Sequence, residues 1–245
     1  MGFTRGLIMA GGRSERMRAV AGTPHKALAR VRDVTLLEWN VRLLLRNGFR
    51  DIVVAVSASE PEISEFVTGS VAQLVRRDGA TLELLEEEVP LGNIGAAREA
   101  IGDADNVLML YVDNLASIDP RRLVEYHQAQ GFAVTIATHQ ETFHVPFGRL
   151  AIEGNRVREY AEKPVLSLQV SSGTCVLSRR ACAAIPPGRP TGASELFTLL
   201  TAQGDTVGAF AHNEPWIDIN DVPALQRARD LVESRLCEFH GLSLP

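Results

Sequence analysis

Short apolar runs alternate with segments of helical spacing along the first half of the chain. "GLIMA" (6–10), "DIVVAV" (51–56) and "NVLMLYV" (106–112) read as buried strands, being short and apolar throughout. Between the first two, Leu37, Val41, Leu44 and Leu45 recur at helical spacing over 35–47 and stop at Asn47-Gly48, a C-terminal cap. A second helix is expected near 60–76. The order βαβα calls for parallel strands, because these need a crossover that covers the sheet. The expected fold is α/β, with a doubly wound, mostly parallel sheet.

Beyond Gly131 the pattern changes to strand-like pieces, "FAVTIAT" (132–138), "GRLAIEG" (148–154), "RVREYAE" (156–162) and "QVSSGTCVLS" (169–178), with a turn at Gly154-Asn155. This part is expected to form a smaller, mixed sheet. Helices follow near 193–203 and from 222, the last striped by Leu225, Ala228, Val232, Leu236 and Phe239, which serve either packing or a dimer contact. A homo-oligomer therefore stays open. Pro186-Pro187-Gly188 and Pro190-Thr191-Gly192 mark an exposed loop, but no linker or repeat divides the chain. One domain over 1–245 is expected, with halves 1–130 and 131–222 and a C-terminal helix over 222–240.

With 245 residues, 45% of them hydrophobic, the chain can bury its own core. Its 25 Lys and Arg against 30 Asp and Glu leave a formal charge of -5, so no overall basic field attracts a nucleic acid and any anion site must be local. Cys175, Cys182 and Cys237 are odd in number and lack zinc-ligand spacing, which argues against a disulfide framework or structural metal and for a reducing cytoplasm. No apolar run approaches the roughly 20 residues of a membrane span, the start is too short for a signal peptide, and Gly6 breaks the myristoylation pattern. A soluble, cytoplasmic protein with no membrane partner is expected.

Candidate chemistry begins at "LIMAGGRSERM" (7–17), where an apolar strand runs into Gly11-Gly12 and the arginines Arg13, Arg16 and Arg18. Adjacent glycines let backbone N–H groups approach phosphate oxygens. The loop lacks the terminal lysine of a Walker A motif and the spacing of a dinucleotide fingerprint. Lys26, in "TPHKAL", is near enough to fold back over it; alone, the glycine pair would equally be a surface turn. "NVLMLYVDNL" ends in Asp113, and ligands of open α/β sheets bind outside the carboxyl ends of the strands, so Asp113 should face the glycine loop. Beside a polyphosphate a carboxylate makes sense through Mg²⁺. Asp218, in "EPWIDIND", is a second metal candidate or a helix cap, and Asp119 before Pro120 reads as a cap.

Taken together these segments resemble the sugar-1-phosphate nucleotidyltransferases, the pyrophosphorylases that make nucleotide sugars. "LIMAGGRSERM" is similar to their A-G-G-x-x-x-R-M loop, and "HKALARV", "EVPLGNIGAA", "YVDNL", "FGRLAI", "EYAEKP" and "WIDIND" resemble their later motifs, in the family's order over 6–222. The resemblance implies a Rossmann-like fold whose first half binds a nucleoside triphosphate and whose second binds a sugar 1-phosphate. It implies that Ala10, Gly11, Gly12, Gly92 and Gly95 surround the nucleotide, that Arg16 neutralises its outer phosphates, and that Lys26 lies at the α-phosphate. Asp113 and Asp218 would hold Mg²⁺. Gly148, Glu162, Lys163 and Gly173 would line the sugar pocket; as residues alone, Glu162-Lys163 would be a surface ion pair and the glycines strand bulges.

Glu87, in "LLEEEVPLG", falls where relatives read the base, or on a solvated acidic rim. The acidic segment is nearest to mannose- and heptose-1-phosphate guanylyltransferases, which implies GTP. The chain departs from the family pattern at His25, Ala27 and Arg30, where prolines or another residue stand, so the lysine loop is expected to be less rigid or differently shaped. Val112, Asn93, Asn220 and Asp221 are further departures that bear on substrate identity. His25-Lys26 also resembles phosphocholine cytidylyltransferases, an alternative beside a non-catalytic nucleotide-sugar sensor. An NAD oxidoreductase would need a glycine fingerprint that is missing. No β-helix extension follows, so no acetyltransferase activity is expected.

Overall fold

The computed structural model describes residues 2–12, 17 and 25–239. Its first half contains β1 (Thr4–Met9), a 3₁₀ turn (Lys26–Leu28), β2 (Arg30–Val31), β3 (Val34–Thr35) and α1 (Leu36–Arg46). After β4 (Asp51–Ser57) come α2 (Pro61–Phe66), a π turn (Val67–Val71), α3 (Ala72–Arg77), β5 (Thr81–Glu87) and α4 (Ala97–Ala100). Next are β6 (Asn106–Tyr111), β7 (Asn114–Ala116), α5 (Pro120–Gln130), β8 (Val134–His144), β9 (Arg149–Glu153), β10 (Arg156–Ala161) and β11 (Val165–Ser178). The chain closes with α6 (Arg179–Ala184), α7 (Ala193–Ala202), β12 (Val207–Ala211), β13 (Trp216–Asp218) and α8 (Val222–Ser234).

A 7-stranded sheet runs in the order β12-β8-β11-β6-β1-β4-β5. Its pairings are parallel except those of β11 with β6 and β8. Successive strand residues alternate between two cores. Ile8, Val54 and Leu108 pack with α1, whereas Leu7, Val53 and Met109 pack with α4, α6 and α7. Both faces are covered, which is the physical content of a doubly wound sheet.

The second half is mixed, as expected: β12 runs parallel and β11 antiparallel to β8, and all three extend the first sheet. The reversed β11 joins the other two to β6; β9 and β10 leave the sheet as a two-stranded hairpin, and β13 leaves it to pair with β7. That hairpin exposes Ile152, Val157 and Tyr160, and Phe147 just before it is exposed as well. The helix expected over 60–76 is interrupted by the π turn at Gly69. Its buried residues, Ile63, Val67, Val71 and Val75, are four apart, a spacing that drifts about 40° per step at 3.6 residues per turn; the wider turn takes up that drift.

The C-terminal helix ends at Ser234, short of the expected 240, with turns over 235–239. Its stripe is spent inside the chain: Leu225, Ala228 and Val232 are buried, and Phe239 meets the edge of Trp39. Asp119 and Asp221 cap α5 and α8, which leaves Asp218 outside the capping role. Cys175 and Cys182 are buried and free, their thiols pushed up to about 12 by burial, and so act as packing groups. No described helix is long and apolar enough to cross a membrane.

Candidate active site

Met9, Ser57, Glu87 and Tyr111, the last residues of the four parallel strands β1, β4, β5 and β6, open together into one cavity of about 580 Å³. This is the edge where open α/β sheets bind ligands. Gly11 and Gly12 continue β1 into the same cavity, and Lys26, Asp113, Gly173, Trp216 and Asp218 form its other walls.

The glycine loop and the lysine turn are tied together by His25. This imidazole is buried; its Nδ1 accepts the Ala27 backbone N–H at 3.1 Å, so its proton sits on Nε2, which donates to the Gly12 carbonyl at 2.6 Å. The residue that departs from the family pattern therefore anchors the turn rather than loosening it. Lys26 is delivered against Gly12, where an added Cβ would meet Nζ at 3.3 Å. A side chain at Gly12 would thus crowd the ammonium.

Lys26 Nζ meets Asp113 Oδ2 at 2.5 Å, both side chains being largely buried. The Asp113 backbone is held from below by Asn40 of α1, whose amide donates to the carbonyls of Val112 (3.3 Å) and Asn114 (3.4 Å). Asp218 is brought alongside by the β7–β13 pairing, in which it lies opposite Asn114 while Ile219 N–H donates to the Asp113 carbonyl at 2.9 Å. Asn114 and Asn220 each donate to one of the two carboxylates. Among the described residues no group of three or more His, Cys, Asp or Glu is placed to hold a metal. Two hard carboxylates nonetheless suit Mg²⁺, which keeps waters and takes phosphate oxygens as its remaining ligands.

Glu87 closes the far end. It is buried, its Oε2 accepting the Leu91 N–H at 3.2 Å, while Oε1 has no hydrogen-bond partner among the described residues. It lies against Gly11, whose added Cβ would be 3.6 Å from Oε2. Burial raises its pKa, with the Leu91 N–H opposing. A carboxyl whose folded pKa is raised favours the fold below its unfolded pKa and loses that contribution as pH rises through the folded one. Glu87→Gln, which stays neutral, is therefore expected to melt progressively higher relative to the parent on going from about pH 4 to about pH 8. Thermal melts of the ligand-free proteins read this difference.

Of the residues singled out by sequence, Gly11, Gly12, Lys26, Glu87, Gly92, Asp113, Gly173 and Asp218 line the cavity. Ala10 and Gly95 are buried beneath it. Gly148 packs under Tyr160, and the exposed Glu162 accepts the Tyr160 hydroxyl. Gly148, Glu162 and Lys163 belong to the β9–β10 hairpin and its exit, outside the cavity walls. Arg13, Arg16 and Arg18 lie outside the described residues.

Gly92 has φ +82° and an added Cβ would run into the Thr191 backbone, whose N–H donates to the Leu91 carbonyl at 2.8 Å. Gly92→Ala is expected to cost more than about 1 kcal/mol, read as a lower midpoint in urea.

Residues 6–186 match the MobA-like NTP transferase domain. The chain belongs to this family. Among curated relatives it is 26% identical over 224 residues to the mannose-1-phosphate guanylyltransferase catalytic subunit beta of Danio rerio, covering 88% of this chain and 61% of that one. It is 24% identical over 266 residues to the UTP–glucose-1-phosphate uridylyltransferase of Synechocystis, covering 98% and 66%. The chain thus spans less than two thirds of either relative's length. Its fold is that of HddC from Yersinia pseudotuberculosis, with a TM-score of 0.69 at 20% identity over 94% of this chain and 99% of that one; HddC has also been solved complexed with GMP-PN.

Within this MobA-like chain, Asn93 and Asn220, singled out as departures bearing on substrate identity, also line the cavity, and sequence reasoning missed Ser57, Tyr111, Ser171 and Trp216. Trp216 stood in plain view in "WIDIND", two residues before a candidate metal ligand, as Tyr111 stands before Asp113. Ser57 carries no local signal beyond ending a strand.

Proposed function

We propose that this protein is a sugar-1-phosphate nucleotidyltransferase, converting a nucleoside triphosphate and a sugar 1-phosphate into a nucleoside diphosphate sugar and pyrophosphate. The observation that carries the reading is the Lys26–Asp113 pair set against Gly11-Gly12, with Asp218 alongside, at the carboxyl ends of the parallel strands.

In the reaction a phosphate oxygen of the sugar phosphate attacks the α-phosphorus. A new P–O bond forms, the bond to the bridging oxygen breaks, and pyrophosphate leaves with the electron pair. The attacking phosphate is already ionised, so no protein nucleophile or base is required; what the site must do is bring two polyanions together and stabilise charge at the α-phosphoryl group. Lys26 supplies that cation, held in place by the His25-anchored turn. Gly11 and Gly12 let the triphosphate approach backbone N–H groups, and Arg16 is assigned to its outer phosphates. Mg²⁺ bound by Asp113 and Asp218 would neutralise the triphosphate and the departing pyrophosphate. Gly173 belongs to the acceptor side, to which Gly148, Glu162 and Lys163 of the hairpin are also assigned.

The unpartnered Glu87 oxygen is assigned to the base, where it would accept an N–H of guanine. GTP is accordingly the proposed donor. Glu87→Gln is expected to raise KM for the preferred triphosphate at least about tenfold, the scale of a lost charge-assisted hydrogen bond, with a smaller effect on kcat.

The test is a pyrophosphate-release screen of the ribonucleoside triphosphates and dTTP against a panel of sugar 1-phosphates and phosphocholine, with Mg²⁺. Release with GTP and a sugar 1-phosphate is expected. Turnover confined to CTP and phosphocholine would replace the proposal, and nucleotide binding without release from any pair would make the protein a sensor.

A further inference from the structure

Behind Trp216 lies a chain of buried polar groups that the proposed reaction does not use. Trp216 donates its indole N–H to the Ser172 carbonyl at 2.7 Å, and its ring lies 4.4 Å from that of His139. The Ser172 hydroxyl is shared by two imidazoles, His139 Nδ1 at 2.8 Å and His212 Nε2 at 2.6 Å, and all three residues are buried. Each imidazole turns its other nitrogen to a carboxylate: His139 Nε2 to Glu141 at 3.0 Å, and His212 Nδ1 to Glu214 at 3.2 Å. Ser172 also occupies the bulge in β11, where the register shifts between Ser171 and Cys175, and its neighbours Ser171 and Gly173 face the cavity.

Protons decide what such a chain can do. The run Glu141–His139–Ser172–His212 has three hydrogen bonds, each needing one hydrogen, and two neutral imidazoles and one hydroxyl supply three. The Ser172 hydroxyl then donates to His139 Nδ1 and accepts from His212 Nε2, which leaves His212 Nδ1 without a hydrogen-bond partner among the described residues although Glu214 lies 3.2 Å away. Burial lowers the His212 pKa, with Glu214 opposing and His139 adding to the lowering, so the fold favours the neutral imidazole there. The other charges facing the chain are Arg122, 3.6 Å from Glu214, and Glu238, which lines the recess beside His212.

We propose that the Ser172-centred chain is a positioning device, which fixes Trp216 and the Ser171–Gly173 bulge as the acceptor-side wall of the cavity. Assigning this wall to the acceptor rests on the function proposed above; the mechanical coupling does not. His212 does not reach Trp216 itself, so any influence it has on the indole must pass through Ser172 and His139.

The experiment is the tryptophan emission of the ligand-free protein at one fixed pH, subtracting Trp216→Phe to remove the signal of Trp39. His139→Gln, which removes the ring stacked on the indole, should change the Trp216 emission, and Ser172→Ala and His212→Gln should each change it through the chain, with circular dichroism unchanged. Trp216 emission identical to the parent's in both Ser172→Ala and His212→Gln overturns the coupling. In turnover, Ser172→Ala is expected to raise KM for the acceptor about tenfold while KM for the triphosphate and kcat stay within about twofold. An unchanged acceptor KM overturns the acceptor-side assignment. If no substrate pair reacts while the fluorescence behaves as expected, the coupling stands and the reaction proposed above falls.

Discussion

Lys26→Ala is expected to lower kcat for pyrophosphate release by at least about 10²-fold, the scale on which removing one preorganised charge partner slows a reaction. The ammonium does not sit on a freely swinging loop. Its turn is pinned through His25 to the Gly12 carbonyl, and the ammonium lies beside Gly12 and Asp113. A cation so placed needs little reorganisation as charge grows on the α-phosphoryl group, which is the condition under which it acts on kcat more than on KM. Loss of the side chain also strips Asp113 of its ion pair, so Lys26→Met, which keeps the stem, separates packing from charge. Single-turnover rates at saturating substrate are the measurement. Near-normal kcat in both variants would remove Lys26 from the chemistry.

Asp113→Asn is expected to cut pyrophosphate release at fixed Mg²⁺ by at least about 10²-fold, with partial recovery at high metal. Asp218→Asn should share the metal dependence. Asp113 has a second part as well, because it pairs with Lys26. If Asp113 served only that ion pair, Asp113→Asn would lower thermal stability and leave the metal response of turnover unchanged. A half-saturating metal concentration equal to that of the parent in both variants would reject the carboxylates as ligands.

The strands that carry the site were legible because burial on both faces leaves a plain signature. β1, β4 and β6 are nearly continuous apolar runs, so their ends, and the acidic residue after β6, could be placed by inspection. β5 is an edge strand whose charges alternate with leucines, and it went unread although it delivers Glu87. His25 was legible as a departure but not as an anchor. Its role depends on the Gly12 carbonyl, thirteen residues away in sequence and supplied by another loop.

The same division holds for the whole protein. Local sequence determined the parallel α/β core, the glycine pair, Lys26 and Asp113, because strand burial, helix caps and loop chemistry act over a few residues. Tertiary structure alone decided that β8, β11 and β12 extend one sheet, that β13 pairs with β7 to set Asp218 beside Asp113, and that His139, Ser172 and His212 meet behind Trp216. Those juxtapositions join residues from about 20 to more than 100 positions apart. They are fixed by strand pairing and by the cost of burying polar groups without partners, neither of which has a period that can be read along the chain.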